Sequence, residues 1–335
     1  METKVDSFGG KEIIFHPMKN PVINKITNES ASIATNSKAA ENPQFKNIQI
    51  GAEAILHSLN DQKTTILLQK ILMESSDEQV KLIANGLKGK YRQLILDKNG
   101  NFFCKDLFKI CDQNERIEIL KELSPTLSVD CCNNFGTHPI QTLIDYSSTQ
   151  GEYELILYSF NDNNNLLSAA INPNGAYVIQ KIIGRIPEKF RSKFNYNFVF
   201  SLVFISKQQF GVISAKKFIE CTKSETITQN IMNIIRTNFM SLAMDNYGNY
   251  LIQFLMEKWA NLTEGNKIKN LIKNNFESLN KSKISTYICK KYLELEKKNN
   301  NNNNNKSLNL NKLNEQPEEN NQNVNFQKKN EGEGV

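Results

Sequence analysis

The stretch Asp245-Asn246-Tyr247-Gly248-Asn249-Tyr250-Leu251-Ile252-Gln253 decides the fold, because its small and polar places return along the chain at nearly constant spacing. The place of Gln253 is held in turn by Gln69, Lys105, Gln141, Gln180, Lys216, Gln253 and Lys290, at intervals of 36, 36, 39, 36, 37 and 37 residues. Five residues before each stands Thr64, Gly100, Gly136, Gly175, Gly211, Gly248 or Ser285, every one small. A period of this length belongs to stacked supersecondary units that bury a continuous core between neighbours. Function is then expected in a column of residues rather than in one pocket.

Working outward, the periodic part reads as helical. Ile66-Leu67-Leu68-x-x-Ile71-Leu72 and Tyr177-Val178-Ile179-x-x-Ile182-Ile183 leave one polar stripe per helix, the pattern of a helix packed between others. An Asp or Asn able to cap orphan N–H groups precedes several of them: Asp97, Asn133, Asn172 and Asp245. Upstream lie further apolar helix-like segments, Ala52–Leu59, Lys88–Leu96, Phe198–Ile205 and Ile234–Ala243. Each unit is therefore expected to be two helices, and the whole an all-α solenoid. Gly costs about 1 kcal/mol inside a helix, so its recurrence at five of seven equivalent places predicts close approach of a neighbouring backbone.

Outside the repeats, residues 1–44 are rich in Asn, Ser, Thr and Lys, and residues 299–335 open with seven consecutive Asn, Asn299–Asn305. Such compositions bury too little apolar surface to offset chain entropy, so both segments are expected to be disordered around a repeat domain at 45–298. Of the formal net charge of +6, the two ends carry 0 and −1, leaving +7 on the repeats. That balance suits a polyanion. Cys104, Cys111, Cys131, Cys132, Cys221 and Cys289 form no C-x-x-C pair, and no His stands at zinc-like spacing beside them. Reduced, mostly buried thiols follow as the expectation, with no metal. The start METKVDSFGGKEIIFH has no apolar h-region, and the run Phe198–Ile205 is too short to span a bilayer. A soluble intracellular chain is expected. No nucleophile–base or carboxylate pair converges on a pocket pattern, so no catalytic residue and no cofactor are assigned.

In the opening stretch Asn249 and Gln253 are i and i+4, one above the other on a helix, with Tyr250 projecting beside them. Repeated in every unit, this makes a ladder of planar side chains alternating with polar ones, suited to nucleobases that offer a π-face and an edge. Tyr, Phe and Ile at helical spacing in a single unit would read as core. Repetition of one place beside a polar partner reverses that reading.

These residues resemble the Pumilio/PUF family of RNA-binding proteins. DNYGNYLIQFLME (245–257) is close to the family's second-helix pattern, and NPNGAYVIQKII (172–183) and NNFGTHPIQTLID (133–145) are similar to it. The resemblance covers about residues 45–298 as seven units. It implies a right-handed α-solenoid of Pumilio-type repeats forming a crescent, with single-stranded RNA on its inner face, one base per repeat and the RNA antiparallel to the protein. It also implies two edge-reading places and one stacking place per second helix. Carried over, the edge pairs are Thr65 with Gln69, Asn101 with Lys105, Thr137 with Gln141, Ala176 with Gln180, Val212 with Lys216, Asn249 with Gln253, and Thr286 with Lys290. The stacking residues are Ile66, Phe102, His138, Tyr177, Ile213, Tyr250 and Tyr287.

Three departures matter. Asn249/Gln253 alone keeps a diagnostic pair, which in the family reads uracil. Where the resemblance implies a guanine-selecting Glu in the seventh unit, Lys290 stands, and a donor-only ammonium cannot accept from guanine N1–H and N2–H. Seven units are counted where the family usually has eight. By resemblance the chain is expected to be a cytoplasmic monomer that binds mRNA 3′-untranslated regions and recruits repression or deadenylation machinery. Two other readings stay open: a helical-repeat protein scaffold with a decayed RNA face, and a ribosome-assembly relative with broad RNA affinity.

Overall fold

The computed structural model describes residues 52–59, 61–260 and 262–298. The segments 1–44 and 299–335, expected to be disordered, lie outside the described residues. The chain divides into two compact units with the boundary between Leu251 and Ile252.

In the first unit the helices run α1 (Ala52–Ser58), α2 (Gln62–Met73), α3 (Asp77–Gly86), α4 (Tyr91–Ile95), α5 (Gly100–Ile110), α6 (Gln113–Leu123), α7 (Leu127–Asp130), α8 (Thr137–Tyr146), α9 (Gln150–Leu157), α10 (Asn163–Ile171), α11 (Gly175–Arg185), α12 (Ser192–Phe200), α13 (Leu202–Ser206), α14 (Gly211–Cys221) and α15 (Glu225–Ala243). Helix α16 (Gly248–Lys258) crosses the boundary; α17 (Thr263–Asn274), α18 (Phe276–Lys281) and α19 (286–298) follow in the second unit. The described residues contain no strand.

The period is confirmed, but the repeat is a three-helix unit rather than a two-helix one. The segment Lys88–Leu96 contains the short middle helix α4, and α3 precedes it as a first helix. Phe198–Ile205 divides between α12 and α13 at Ser201. In α15 the first and middle helices run together across a kink at Asn238 (φ −110°, ψ 16°), whose side-chain amide donates to the Ile234 carbonyl at 2.9 Å. The first helices carry their own start signals. Ser76 with Gln79, Asp112 with Glu115 and Thr149 with Glu152 form reciprocal capping boxes.

The layer of second helices is continuous through the first unit: α2 packs on α5, α5 on α8, α8 on α11 and α11 on α14. Alongside it α3 packs on α6 and α6 on α9. Each second helix turns one face to the core. In α5 that face is Asn101, Phe103, Cys104, Leu107 and Phe108. Stacked rings of Phe198 and Phe218, with centroids 4.4 Å apart, join α12 to α14. Polar bonds join repeats as well. Arg116 Nε donates to the fully buried Glu152 at 2.8 Å, while the other Glu152 oxygen accepts from the Ser148 and Thr149 amides at 2.9 Å. These bonds together outweigh the penalty of burial and hold the Glu152 carboxyl below the usual carboxylate range. In the second unit, Ile268, Ile272, Leu279 and Ile288 are fully buried.

The small-residue column does what its recurrence predicts. A Cβ on Gly100, Gly175 or Gly248 would lie 2.6, 2.5 or 2.7 Å from the carbonyl oxygen six residues earlier, that of Leu94, Ala169 or Leu242. Gly136 and Gly211 face the Asp130 and Ile205 carbonyls still more closely. Ser285 meets the same carbonyl differently, its hydroxyl donating to Leu279 O at 2.7 Å.

Gly175→Ala is therefore expected to cost about 1–3 kcal/mol, the range for inserting a methyl where no space exists. Gly184→Ala, in the last turn of the same helix, meets nothing nearer than Lys217 Cε at 3.8 Å. It is expected to be neutral or to stabilise by up to about 1 kcal/mol. Urea midpoints of the two variants against the parent decide; equal midpoints would remove close approach as a constraint on this fold.

Candidate nucleic-acid interface

One hydrogen-bonded elbow recurs before α5, α8, α11 and α16. The carbonyl six residues before the small column accepts the N–H three residues before it: Asp97 N to Leu94 O at 3.2 Å, Asn133 N to Asp130 O at 3.1 Å, Asn172 N to Ala169 O at 3.3 Å and Asp245 N to Leu242 O at 3.2 Å. The side chain of that Asp or Asn then caps the next helix. Asp97 Oδ1 accepts from Asn99 N and Gly100 N at 2.8 and 2.7 Å, and Asp245 Oδ1 accepts from Tyr247 N and Gly248 N at 2.9 and 2.8 Å. Asn133 and Asn172 do the same for α8 and α11. The four caps expected from sequence are thus made. Pro139 lies in the first turn of α8, where an absent N–H costs no intrahelical bond.

This elbow sets which side chains reach solvent. The stacking residues all do: Ile66, Phe102, His138, Tyr177, Ile213, Tyr250 and Tyr287 are exposed, Tyr177 by 61% and Tyr287 by 58%. So large a set of exposed apolar side chains at one register cannot serve the core. The partner place three residues on is half-buried at Gln69, Lys105, Gln141, Gln180, Lys216 and Gln253, and exposed at Lys290.

The first member of each edge pair is placed differently. Thr65, Asn101, Thr137, Ala176, Val212 and Asn249 are buried, and Thr286 is half-buried. Their polar groups bond to the chain. Asn101 Nδ2 donates to Asp97 O and Lys98 O at 2.8 and 2.9 Å, and Asn249 Nδ2 to Asp245 O and Asn246 O at 2.8 and 3.0 Å. Thr65 Oγ1 donates to Asp61 O at 2.9 Å, and Thr137 Oγ1 to Asn174 O at 3.2 Å. The side chains presented together in each repeat are therefore the stacking residue and its i+3 Gln or Lys.

Two features of this face have no counterpart in the sequence reading. Gln69 Nε2 donates to Asp106 Oδ2 of the next repeat at 2.5 Å, and Lys109 holds the other oxygen at 2.8 Å. An acidic side chain one place beyond the Gln/Lys column was the available signal. Each column lysine also lies over a ring of the stacking column: Lys105 Nζ is 5.6 Å from the Phe102 centroid, Lys290 5.3 Å from Tyr287, and Lys216 5.5 Å from Tyr250 of the following repeat. Within about 6 Å the ring quadrupole attracts a cation.

The six cysteines are free thiols, and burial pushes the Cys104 thiol well up from its ordinary value. Among the described residues no group of three or more His, Cys, Asp or Glu is placed to hold a metal ion, and no helix is long and apolar enough to cross a membrane.

With this geometry, comparison with known proteins is specific. The family model of the Pumilio-family RNA binding repeat matches residues 66–87, 90–124, 165–193 and 238–260. The chain carries Pumilio-family repeats. It is 22% identical over 275 residues to Pumilio homolog 12 of Arabidopsis thaliana, covering 80% of this chain and 45% of that one. To Pumilio homolog 11 of the same plant it is 26% identical over 241 residues, covering 70% and 41%. The chain thus spans less than half the length of these curated relatives. Its fold is that of the Puf4 RNA binding domain bound to a 3′ UTR recognition sequence of HO endonuclease RNA (TM-score 0.66, 22% identity, 71% of this chain and 74% of that one). It is also that of yeast Puf5p bound to SMX2 RNA (TM-score 0.66, 22% identity, 75% and 70%). In the first unit the layer of second helices includes α8 and α14, which the family model does not match.

Placement of the two columns predicts opposite consequences of truncation. Asn101→Ala removes two hydrogen bonds in a buried elbow and is expected to cost about 1–3 kcal/mol. Phe102→Ala, at an exposed place, is expected to stay within about 0.5 kcal/mol. Thermal denaturation of both variants tests this, and equal losses would mean that Phe102 belongs to the core.

Proposed function

We propose that the chain binds single-stranded RNA along the exposed face of its second helices, one base per repeat. The observation that carries this reading is the column of seven exposed stacking residues, five of them rings, each with a Gln or Lys three residues later. Packed helix axes lie about 8–10 Å apart, and stacked bases rise about 3.4 Å each. A gap between side chains on neighbouring second helices therefore accepts one planar base with a contact on either side. The +7 charge of the repeat region favours a polyanion over a neutral partner. RNA-bound Puf4 and Puf5p supply the precedent on the same fold.

The biological class we infer is mRNA, with 3′-untranslated regions as targets, in the cytoplasm. On this reading the chain does no chemistry. It acts as a monomer that holds a message and brings repression or decay machinery to it.

Tyr250→Ala combined with Gln253→Ala is the direct test, using RNA selected by the parent from a short random pool. Loss of one stacked base is worth about 1–3 kcal/mol, so affinity should fall roughly 5- to 150-fold while the circular dichroism melt keeps its midpoint. A protein-binding scaffold predicts instead that parent and double variant have the same weak RNA affinity. That outcome would sink the placement of the site.

A further inference from the structure

We propose that Lys105, Lys216 and Lys290 turn the second, fifth and seventh repeats into anchoring sites that hold the RNA backbone without discriminating among bases, while the Gln repeats do the reading. The proposal rests on RNA binding at this face and specifies how its repeats divide the work.

The chemistry separates the two residue types at this place. A Gln amide carries two donors and an acceptor in one plane, so it can match or mismatch the donor–acceptor pattern of a base edge. An ammonium carries three donors on a rotating head and no acceptor. Every base offers an acceptor somewhere on its exposed edge, so a lysine meets each with little preference. It remains a point charge on a flexible stem, and phosphate is its natural partner.

The geometry shows where the three charges rest. All three lie 5.3–5.6 Å from the centroid of a stacking ring. Lys105 and Lys290 hold the ring of their own repeat, three residues back on the same helix. In the fifth repeat the stacking place is Ile213, which has no π-face, and Lys216 reaches instead to Tyr250 of the sixth. Its side chain thus spans the gap between second helices through which a base would enter. The ring attraction at an exposed site is weak beside charge pairing with a phosphate. A base that takes the ring face displaces the ammonium by a few ångströms toward the backbone of the strand that delivered it. Stacking and charge release are then coupled in these repeats and absent from the Gln repeats.

Two measurable properties follow. Each lysine engaged with a phosphate adds about 0.7 to the magnitude of the slope of log affinity against log salt for a single strand. The selected RNA should be degenerate at the positions facing repeats two, five and seven, and defined at positions facing the Gln repeats. The test compares the full chain with K105Q/K216Q/K290Q, using labelled RNA selected by the parent and a second selection with the variant. The variant is expected to have a slope shallower by about 2, an unchanged melting midpoint, and new base preference at the three positions. A control variant, K88Q/K121Q/K267Q, removes the same charge from exposed lysines of other helices and loops. It should keep the parent's slope and motif. Equal slopes and motifs in parent and column variant, or an equal shift in the control, would overturn the anchoring role and leave RNA binding intact. A parent that binds no RNA would overturn both readings.

Discussion

The contact on which the rest of the architecture depends is the approach of the column glycines and Ser285 to the carbonyl oxygen six residues upstream. That carbonyl closes the end of the middle helix, accepts the N–H of the capping residue, and then sits where a Cβ on the column glycine would be. Without a side chain there, the second helix starts within van der Waals range of the preceding turn. The angle between the two helices is then fixed by backbone geometry rather than by side-chain packing. The elbow turns the residue after the column glycine inward and the next one outward. Ser285 keeps the geometry by hydrogen bonding to the carbonyl in place of avoiding it.

That elbow explains why the face was only partly legible in the sequence. The period, the glycine column, the four Asx caps and the exposed ring column could all be read from residue types at fixed spacing. Which member of an i, i+4 pair is buried could not, because residues such as Asn249 and Gln253 look equivalent on a helical projection. The buried class of Asn249 follows from the elbow, where its amide satisfies the carbonyls of Asp245 and Asn246. The missing first helix has a different cause. Ser76-x-x-Gln79, Asp112-x-x-Glu115 and Thr149-x-x-Glu152 are capping-box signatures in plain view, but their helices are amphipathic and polar enough to be passed over beside the apolar second helices. Contacts between repeats, such as Gln69 with Asp106 or Arg116 with Glu152, join residues 36 or 37 apart. No local pattern reveals them.

The lysines show how the same register holds two kinds of information. As a spacing, Lys105, Lys216 and Lys290 are equivalent to Gln. As chemistry they are not, because a charge that rests on a ring takes part in the platform itself. The fifth repeat makes this clearest: losing the ring to Ile213 would leave its lysine without a π partner on its own helix, and the next repeat's Tyr250 supplies one. The column therefore works between repeats as well as within them.

Enclosed and exposed side chains are in this way assigned to different places on one short helix. The glycine and the residue after it are enclosed, and a change at either strains the elbow and both helices it joins. The stacking side chain is exposed in every repeat, so it can vary with little cost to folding. In a solenoid whose units contact their neighbours alone, such variation stays local. That separation lets the glycine column persist through five repeats while the partner column holds an amide in some repeats and an ammonium in others.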